Sequence, residues 1–188
     1  MQIKGLVFDC DGTLADTMPL HWRAWQMITQ RHNLHFPIDR FYSLGGVPSR
    51  DILKMLAVEQ GRSLDHMAVA HEKENVFLPL MATVEPIHAV VEIARANHGK
   101  IPMAVASGGT QPIILGVLEH LKIRHLFDAV VTSEMVTNQK PAPDIFLEAA
   151  RRIGVEPQFC RGYEDTDLGM QAIRSAGMDA VDVRTLIG

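Results

Sequence analysis

Short apolar runs recur along this chain, and each ends on a polar or acidic residue. Gly5-Leu6-Val7-Phe8 ends at Asp9, Met103-Ala104-Val105-Ala106 at Ser107, and Asp128-Ala129-Val130-Val131 at Thr132-Ser133. A weaker run from Phe159 to Tyr163 ends at Glu164-Asp165, and Asp179 to Val183 supplies a last one. Runs this short and this apolar fit strands buried on both faces, as in parallel sheets. Helical spacing fills the gaps. Ile87 to Ala96 is helical, Thr110 opens a helix carrying Ile114, Val117, Leu118 and Leu121, and Asp167 to Ala176 forms another that Gly177 ends. Pro143-Asp144 starts a helix whose Phe146, Ala149, Ala150 and Ile153 share one face. Strands alternating with helices predict an α/β fold: a doubly wound, Rossmann-like parallel sheet.

One stretch does not fit a plain crossover. From Met18 to Ala82 every element reads as helical: Pro19 to His32, a helix from Arg50 to Gly61 capped by Ser49, and one capped by Ser63 running through Met67, Ala70, Val76 and Phe77. Pro37, Gly45-Gly46 and Pro48 break the region between. Residues 18–82 are therefore expected to form an inserted helical cap, and residues 1–17 with 83–188 the core. A chain of 188 residues suits that plan.

Composition removes several function classes. The net charge is −4, with no basic stripe, which argues against a nucleic-acid partner. No stretch approaches the roughly 18 consecutive apolar residues of a membrane span. The first apolar run is too short for a signal peptide. Cys10 and Cys160 belong to no C-x-x-C pair and read as buried free thiols in a reducing compartment. These observations predict a cytoplasmic protein; a monomer or weak homodimer is expected.

In an open parallel sheet, ligands bind beyond the carboxyl ends of the strands. Asp9, Asp11, Ser107, Glu164 and Asp165 all follow apolar runs, so they are expected on one rim. Three or more carboxylates gathered there repel one another unless a cation sits among them, and hard oxygen ligands suit Mg²⁺. The segments concerned are D-C-D-G-T (Asp9 to Thr13), S-G-G (Ser107 to Gly109), K-P-A-P-D (Lys140 to Asp144) and E-D-T-D (Glu164 to Asp167). Together they closely resemble the four motifs of the haloacid-dehalogenase superfamily, over essentially the whole chain. L-H-W-R-A-W (Leu20 to Trp25) and G-G-V-P-S-R (Gly45 to Arg50) look like the helical cap of its β-phosphoglucomutase-like branch. The C-terminal part, with A-G-M-D-A-V-D-V-R-T-L (Ala176 to Leu186), is most similar to the fructose-1-phosphate phosphatases of that branch.

The resemblance implies a set of roles. Asp9 is the expected nucleophile, forming an aspartyl phosphate. Asp11 is the expected general acid and then base, its backbone carbonyl also meeting the metal. Asp9, Asp11, Asp165 and Glu164 form the implied Mg²⁺ site. Lys140 neutralises charge, and Ser107, Thr13 and Gly108 offer donors to the phosphoryl group. His21 and Arg50 are the cap residues expected near substrate. Asp11 favours a phosphate over a halide, because a halide leaving group needs no proton. The implied activity is hydrolysis of a small phosphomonoester, a sugar phosphate such as fructose 1-phosphate. A phosphomutase, or a silent binding protein on the same fold, is the alternative.

Plainer expectations accompany these. Asp144 and Asp167 read as helix N-caps, and Trp22 and Trp25 as core. Arg161 stands on a supposedly buried strand and requires either a carboxylate partner or a less buried strand. Gly45 replaces a polar residue common in mutase-like members, which predicts a more open cap.

Overall fold

A computed structural model describes residues 2–186. Its sheet consists of β1 (Gly5–Phe8), β2 (Met103–Ala106), β3 (Ala129–Val131), β4 (Cys160–Glu164) and β5 (Asp179–Asp182). The strands lie in the order β3-β2-β1-β4-β5 and all pair in parallel. Eight α-helices accompany them among the described residues: α1 (Met18–Arg31), α2 (Ile38–Ser43), α3 (Ser49–Glu59), α4 (His66–Phe77), α5 (His88–Asn97), α6 (Gln111–His120), α7 (Asp144–Arg152) and α8 (Asp167–Ser175). None of them is long and apolar enough to cross a membrane.

Because side chains alternate along a strand, the sheet feeds two cores. Leu6, Phe8, Met103, Val105 and Tyr163 pack with Val90, Val91 and Ala94 of α5 and with Ile114, Val117 and Leu118 of α6. Val7, Ala104, Ala106 and Val131 pack on the other face with Ile145, Phe146, Ala149 and Ala150 of α7 and with Ala172 and Ile173 of α8. That is the doubly wound arrangement predicted from the pattern. A third apolar cluster lies wholly within α1 to α4 and their connections: Trp25, Ile28, Phe36, Phe41, Leu53, Leu56 and Val69 among others. Leu20, Ala24 and Phe77 of the same stretch join the core over the sheet instead.

Strand β4 resolves the question of Arg161. Arg161 pairs with Asp179 on β5 at 2.6 Å, and both side chains are well exposed, so the β4–β5 edge is open to water there. Gly162 faces the opposite way, where a Cβ would lie 2.7 Å from the Ile173 side chain; only glycine lets α8 come this near. Tyr163 stacks on Phe8, ring centroids 4.6 Å apart. Three residues that look wrong for a buried strand thus serve an edge pair, a close helix and an aromatic stack.

Several helix starts differ from expectation. Pro48 occupies the N-cap of α3 and Ser49 lies inside the helix. Asp65, not Ser63, caps α4, accepting from the Met67 and Ala68 amides. Thr166, not Asp167, caps α8 through the Gly169 amide. Pro143 precedes α7, and the Asp144 carboxylate instead accepts from the Asn138 backbone and side-chain N–H groups, bracing the Lys140 loop. In each case the cap sits one or two residues from the side chain with capping chemistry, because helix ends follow backbone geometry as well as residue type. Helix α2 lies in the region where Pro37 and the glycines suggested only breaks.

Phe146 is fully buried between α7 and the sheet. Phe146→Ala is expected to cost about 3–5 kcal/mol of stability, read as a lowered urea midpoint with little change in slope.

Candidate active site

The carboxyl ends of the strands gather the polar residues. Asp9 follows β1, Ser107 follows β2, Glu164 closes β4 and Asp165 comes next. Gly12 turns the chain after Asp9 with a φ of +84°, a region that L side chains rarely adopt, and a Cβ there would collide with the Asp165 carboxylate. The two acidic loops therefore approach as closely as they do because position 12 has no side chain.

Lys140 is the charge that holds this rim together. Its Nζ lies 2.7 Å from Asp9 Oδ1 and 2.6 Å from Glu164 Oε2, and all three side chains are buried. Burial works against the ammonium, but the two carboxylates more than offset it and hold the Lys140 pKa above the ordinary lysine value. Glu164 uses its other oxygen to accept from the Asp165 and Thr166 amides and the Thr166 hydroxyl. Asp9 is pushed well above the usual carboxylate range by burial, then by Glu164. Asp165 is raised to about 7 by burial and by Glu164, although Thr13 donates its hydroxyl to it at 3.0 Å.

Asp9, Glu164 and Asp165 each place a carboxylate oxygen within 4.8 Å of the others. Three carboxylates facing one ammonium leave a surplus of negative charge in a buried place. The donors are all hard oxygens, so the set fits Mg²⁺. The Asp11 side chain is not part of this group.

Asp11 turns instead toward the helices. Its Oδ1 accepts from Thr17 Oγ1 at 2.6 Å and lies 3.1 Å from His21 Nε2, while Ser107 Oγ approaches Oδ2 at 3.4 Å. Behind His21, Lys73 Nζ stands 2.8 Å from Nδ1. A lysine ammonium only donates, so Nδ1 accepts and Nε2 carries the proton it donates to Asp11. His21 also stacks on Phe77, centroids 4.0 Å apart. Burial, then Lys73, lowers the His21 pKa. Burial alone would raise Asp11, but His21, Thr17 and Lys73 outweigh it and hold Asp11 at about 2. Lys73, buried itself, is brought down to about 8.

A cavity of about 210 Å³ opens above Asp9 and Asp11. Among the residues expected at the site, His21, Arg50, Ser107 and Gly108 also line it. Arg50 reaches across to donate to Ser133 Oγ at 3.3 Å. Thr13 does not line the cavity; its hydroxyl is engaged with Asp165. Trp25 is buried in the third apolar cluster and still borders the cavity, so it serves as core and wall at once. Trp22 packs on Phe36 and Phe41. Cys10 and Cys160 are both free and buried, and burial pushes the Cys160 thiol up to about 11.

The expectation of a more open cap at Gly45 does not hold. A Cβ on Gly45 would lie 2.6 Å from the Thr166 side chain, and one on Gly108 would strike the Gly46 carbonyl. The missing side chains bring the α2–α3 loop down onto the strand ends. Lys73 and Thr17 are functional neighbours that sequence reasoning missed. Lys73 sits in H-E-K-E-N, which looks like a solvated charged face, yet it falls three residues after Ala70 and four before Phe77, on the apolar side of α4.

The family model for haloacid dehalogenase-like hydrolases matches residues 6–183. The chain belongs to this family. Kinship of this kind makes it a hydrolase of the phosphatase type. Fructose-1-phosphate phosphatase YqaB of Escherichia coli K12 is 44% identical over 183 residues, covering 97% of each chain. A β-phosphoglucomutase of Bacillus subtilis is 30% identical over 192 residues, covering 96% of this chain and 82% of its own. The crystal structure of a β-phosphoglucomutase from Clostridium difficile superimposes with a TM-score of 0.85 at 27% identity, covering 96% of this chain and 84% of that one.

Two tests of the electrostatics follow. Lys140→Met leaves two buried carboxylates without their ammonium, and is expected to cost about 3–5 kcal/mol; adding Asp9→Asn restores part of the loss, which a double-mutant cycle by urea denaturation measures. Lys73 titrates near 8 folded and near 10.5 when free, so between those values the unfolded chain binds the extra proton. Stability relative to Lys73→Met is then expected to rise with pH from about 8 to about 10.5 and to be flat below 8, as denaturation at stepped pH would report.

Proposed function

We propose that the protein is a magnesium-dependent phosphatase that hydrolyses a small phosphomonoester, a sugar phosphate such as fructose 1-phosphate, through an aspartyl phosphate on Asp9. The observation that carries this reading is the opposed setting of the two aspartates beneath one cavity. Asp9 is paired with Lys140 and Asp11 with Thr17 and His21. The similarity to a fructose-1-phosphate phosphatase supports the choice of substrate.

A carboxylate oxygen of Asp9 attacks phosphorus, and the bond to the sugar oxygen breaks. Asp11 gives its proton to that departing oxygen. With a pKa held at about 2, Asp11 rests in the base form; a phosphoryl dianion beside it raises its proton affinity, so Asp11 takes up a proton from water as substrate binds and holds it for this first step. Asp11 then takes a proton from water as the water attacks phosphorus, breaking the Asp9–phosphorus bond and freeing inorganic phosphate. Lys140 keeps Asp9 oriented and offsets its charge. Ser107 and the Gly108 backbone serve the phosphoryl oxygens, and Lys73 positions His21 against Asp11. Asp9, Asp165, Glu164 and the Asp11 backbone carbonyl would hold Mg²⁺. When bound, the ion supplies positive charge to the phosphoryl oxygens and to these carboxylates.

Residues 18–82 act in this reading as a cap on a core of residues 1–17 and 83–188, closing over substrate and excluding bulk water. The separate apolar cluster of α1 to α4 supports that division.

A magnesium-dependent phosphate-release screen over sugar phosphates tests the proposal. Asp9→Asn is expected to lose essentially all turnover, Asp11→Asn to fall by about 100- to 10,000-fold, and chelation of Mg²⁺ to abolish activity. Near-normal turnover by Asp9→Asn would refute the nucleophile. The likeness to β-phosphoglucomutases supports a mutase as second reading; an isomerised sugar phosphate, in place of inorganic phosphate, would identify it.

A further inference from the structure

The cavity has a second acidic feature that the proposed chemistry does not use. Glu74 of α4 lines it, opposite the start of α6. Thr110, the residue before α6, makes no capping bond with its side chain. Its hydroxyl donates to Glu74 Oε1 at 2.9 Å. The first amide of α6, that of Gln111, donates to both carboxylate oxygens of Glu134, at 3.0 and 3.2 Å. A helix N-terminus attracts anions, and a phosphate is a common occupant. Here the Gln111 amide and the Thr110 hydroxyl are already taken by two of the protein's own carboxylates, of which Glu74 borders the cavity.

We propose that Glu74 is a specificity-determining residue that excludes substrates carrying a second phosphate and reserves the cavity for phosphomonoesters with an uncharged leaving group. This rests on the phosphatase reading above and names its substrate class more closely. Glu74 Oε2 lies 4.0 Å from the exposed His71, and the Glu74 charge is felt at Lys73; with no hydrogen bond to that oxygen among the described residues, it can accept from a sugar hydroxyl. A second phosphate brought to the same place meets a like charge and finds the Thr110 hydroxyl and the Gln111 amide occupied. Such exclusion is how sites reject a close analogue without tighter binding of the right one. Two cations share the cavity wall and both have other partners. Lys73 donates to His21. Arg50 donates to Ser133 and lies 3.9 Å from Asp51.

The test compares kcat/KM for fructose 1-phosphate and fructose bisphosphate by phosphate release, in the wild type and in Glu74→Gln, Glu74→Asp and Arg50→Gln. The wild type is expected to favour the monophosphate by about tenfold or more, and Glu74→Gln to shrink that ratio by about tenfold. Glu74→Asp, which keeps the charge, is expected to keep the preference. A wild-type ratio near one, or an unchanged ratio in Glu74→Gln, overturns the proposal while leaving the phosphatase reading intact. A selective loss of bisphosphate turnover in Arg50→Gln also overturns it, since Arg50 would then be receiving the second phosphate. Absence of turnover on every sugar phosphate overturns both readings together.

Discussion

A lysine ammonium buried between two carboxylates organises this molecule. Lys140 stands on a loop far along the chain from Asp9, yet touches both Asp9 and Glu164 at hydrogen-bond distance. Removing three charged groups from water is costly, and a triad of this kind is tolerated only when each member is fully partnered. The surrounding backbone meets that requirement. Glu164 takes two amides and a hydroxyl on its second oxygen, and Gly169 leaves room for its side chain. Gly46 sits over the aliphatic stem of Lys140 with no side chain to displace it. The arrangement remains short of positive charge, which is why the same place that locks the loops together is also suited to a divalent ion.

The two aspartates of the first loop live in opposite electrostatic settings although one residue separates them. Asp9 faces other carboxylates in a buried spot and its affinity for protons rises. Asp11 faces a hydroxyl, an imidazole and a lysine, and its affinity falls. This resting division runs against the proposed roles: a divalent ion among Asp9, Glu164 and Asp165 would favour the Asp9 carboxylate, and a bound phosphoryl dianion would raise the proton affinity of Asp11. The division comes from which elements each side chain meets: Asp9 looks into the strand ends, and Asp11 looks at α1 and α4.

Much of this was legible in the sequence, and the misses have physical causes. The sheet could be read because its strands are buried on both faces and therefore almost purely apolar. Strand β4 was the weak case, since its edge pair and close helix contact permit Arg161 and Gly162. Asp9, Ser107, Glu164 and Asp165 were placed on one rim by topology alone, because polar residues that end parallel strands share an edge. Lys73 was not legible in this way. Its local sequence is charged, and its burial depends on His21 and Trp25, which reach it only through the packing of α1 against α4. Helix caps were misplaced by a residue or two because Ser63, Asp144 and Asp167 have the right chemistry beside positions with better geometry. Gly45 was misjudged for a related reason: a missing side chain was read as empty space, when a neighbour occupies it.

The seam between the α2–α3 loop and the strand ends is made of three glycines: Gly45 lies against the Thr166 side chain, Gly46 against the Lys140 stem, and Gly108 against the Gly46 carbonyl. At the Gly108–Gly46 contact the spacing cannot yield, because carbonyl and Cα atoms have no rotamers to change. The gap between the loop and the strand ends is therefore set partly by backbone atoms, and a side chain added at position 108 has no way to swing clear of it.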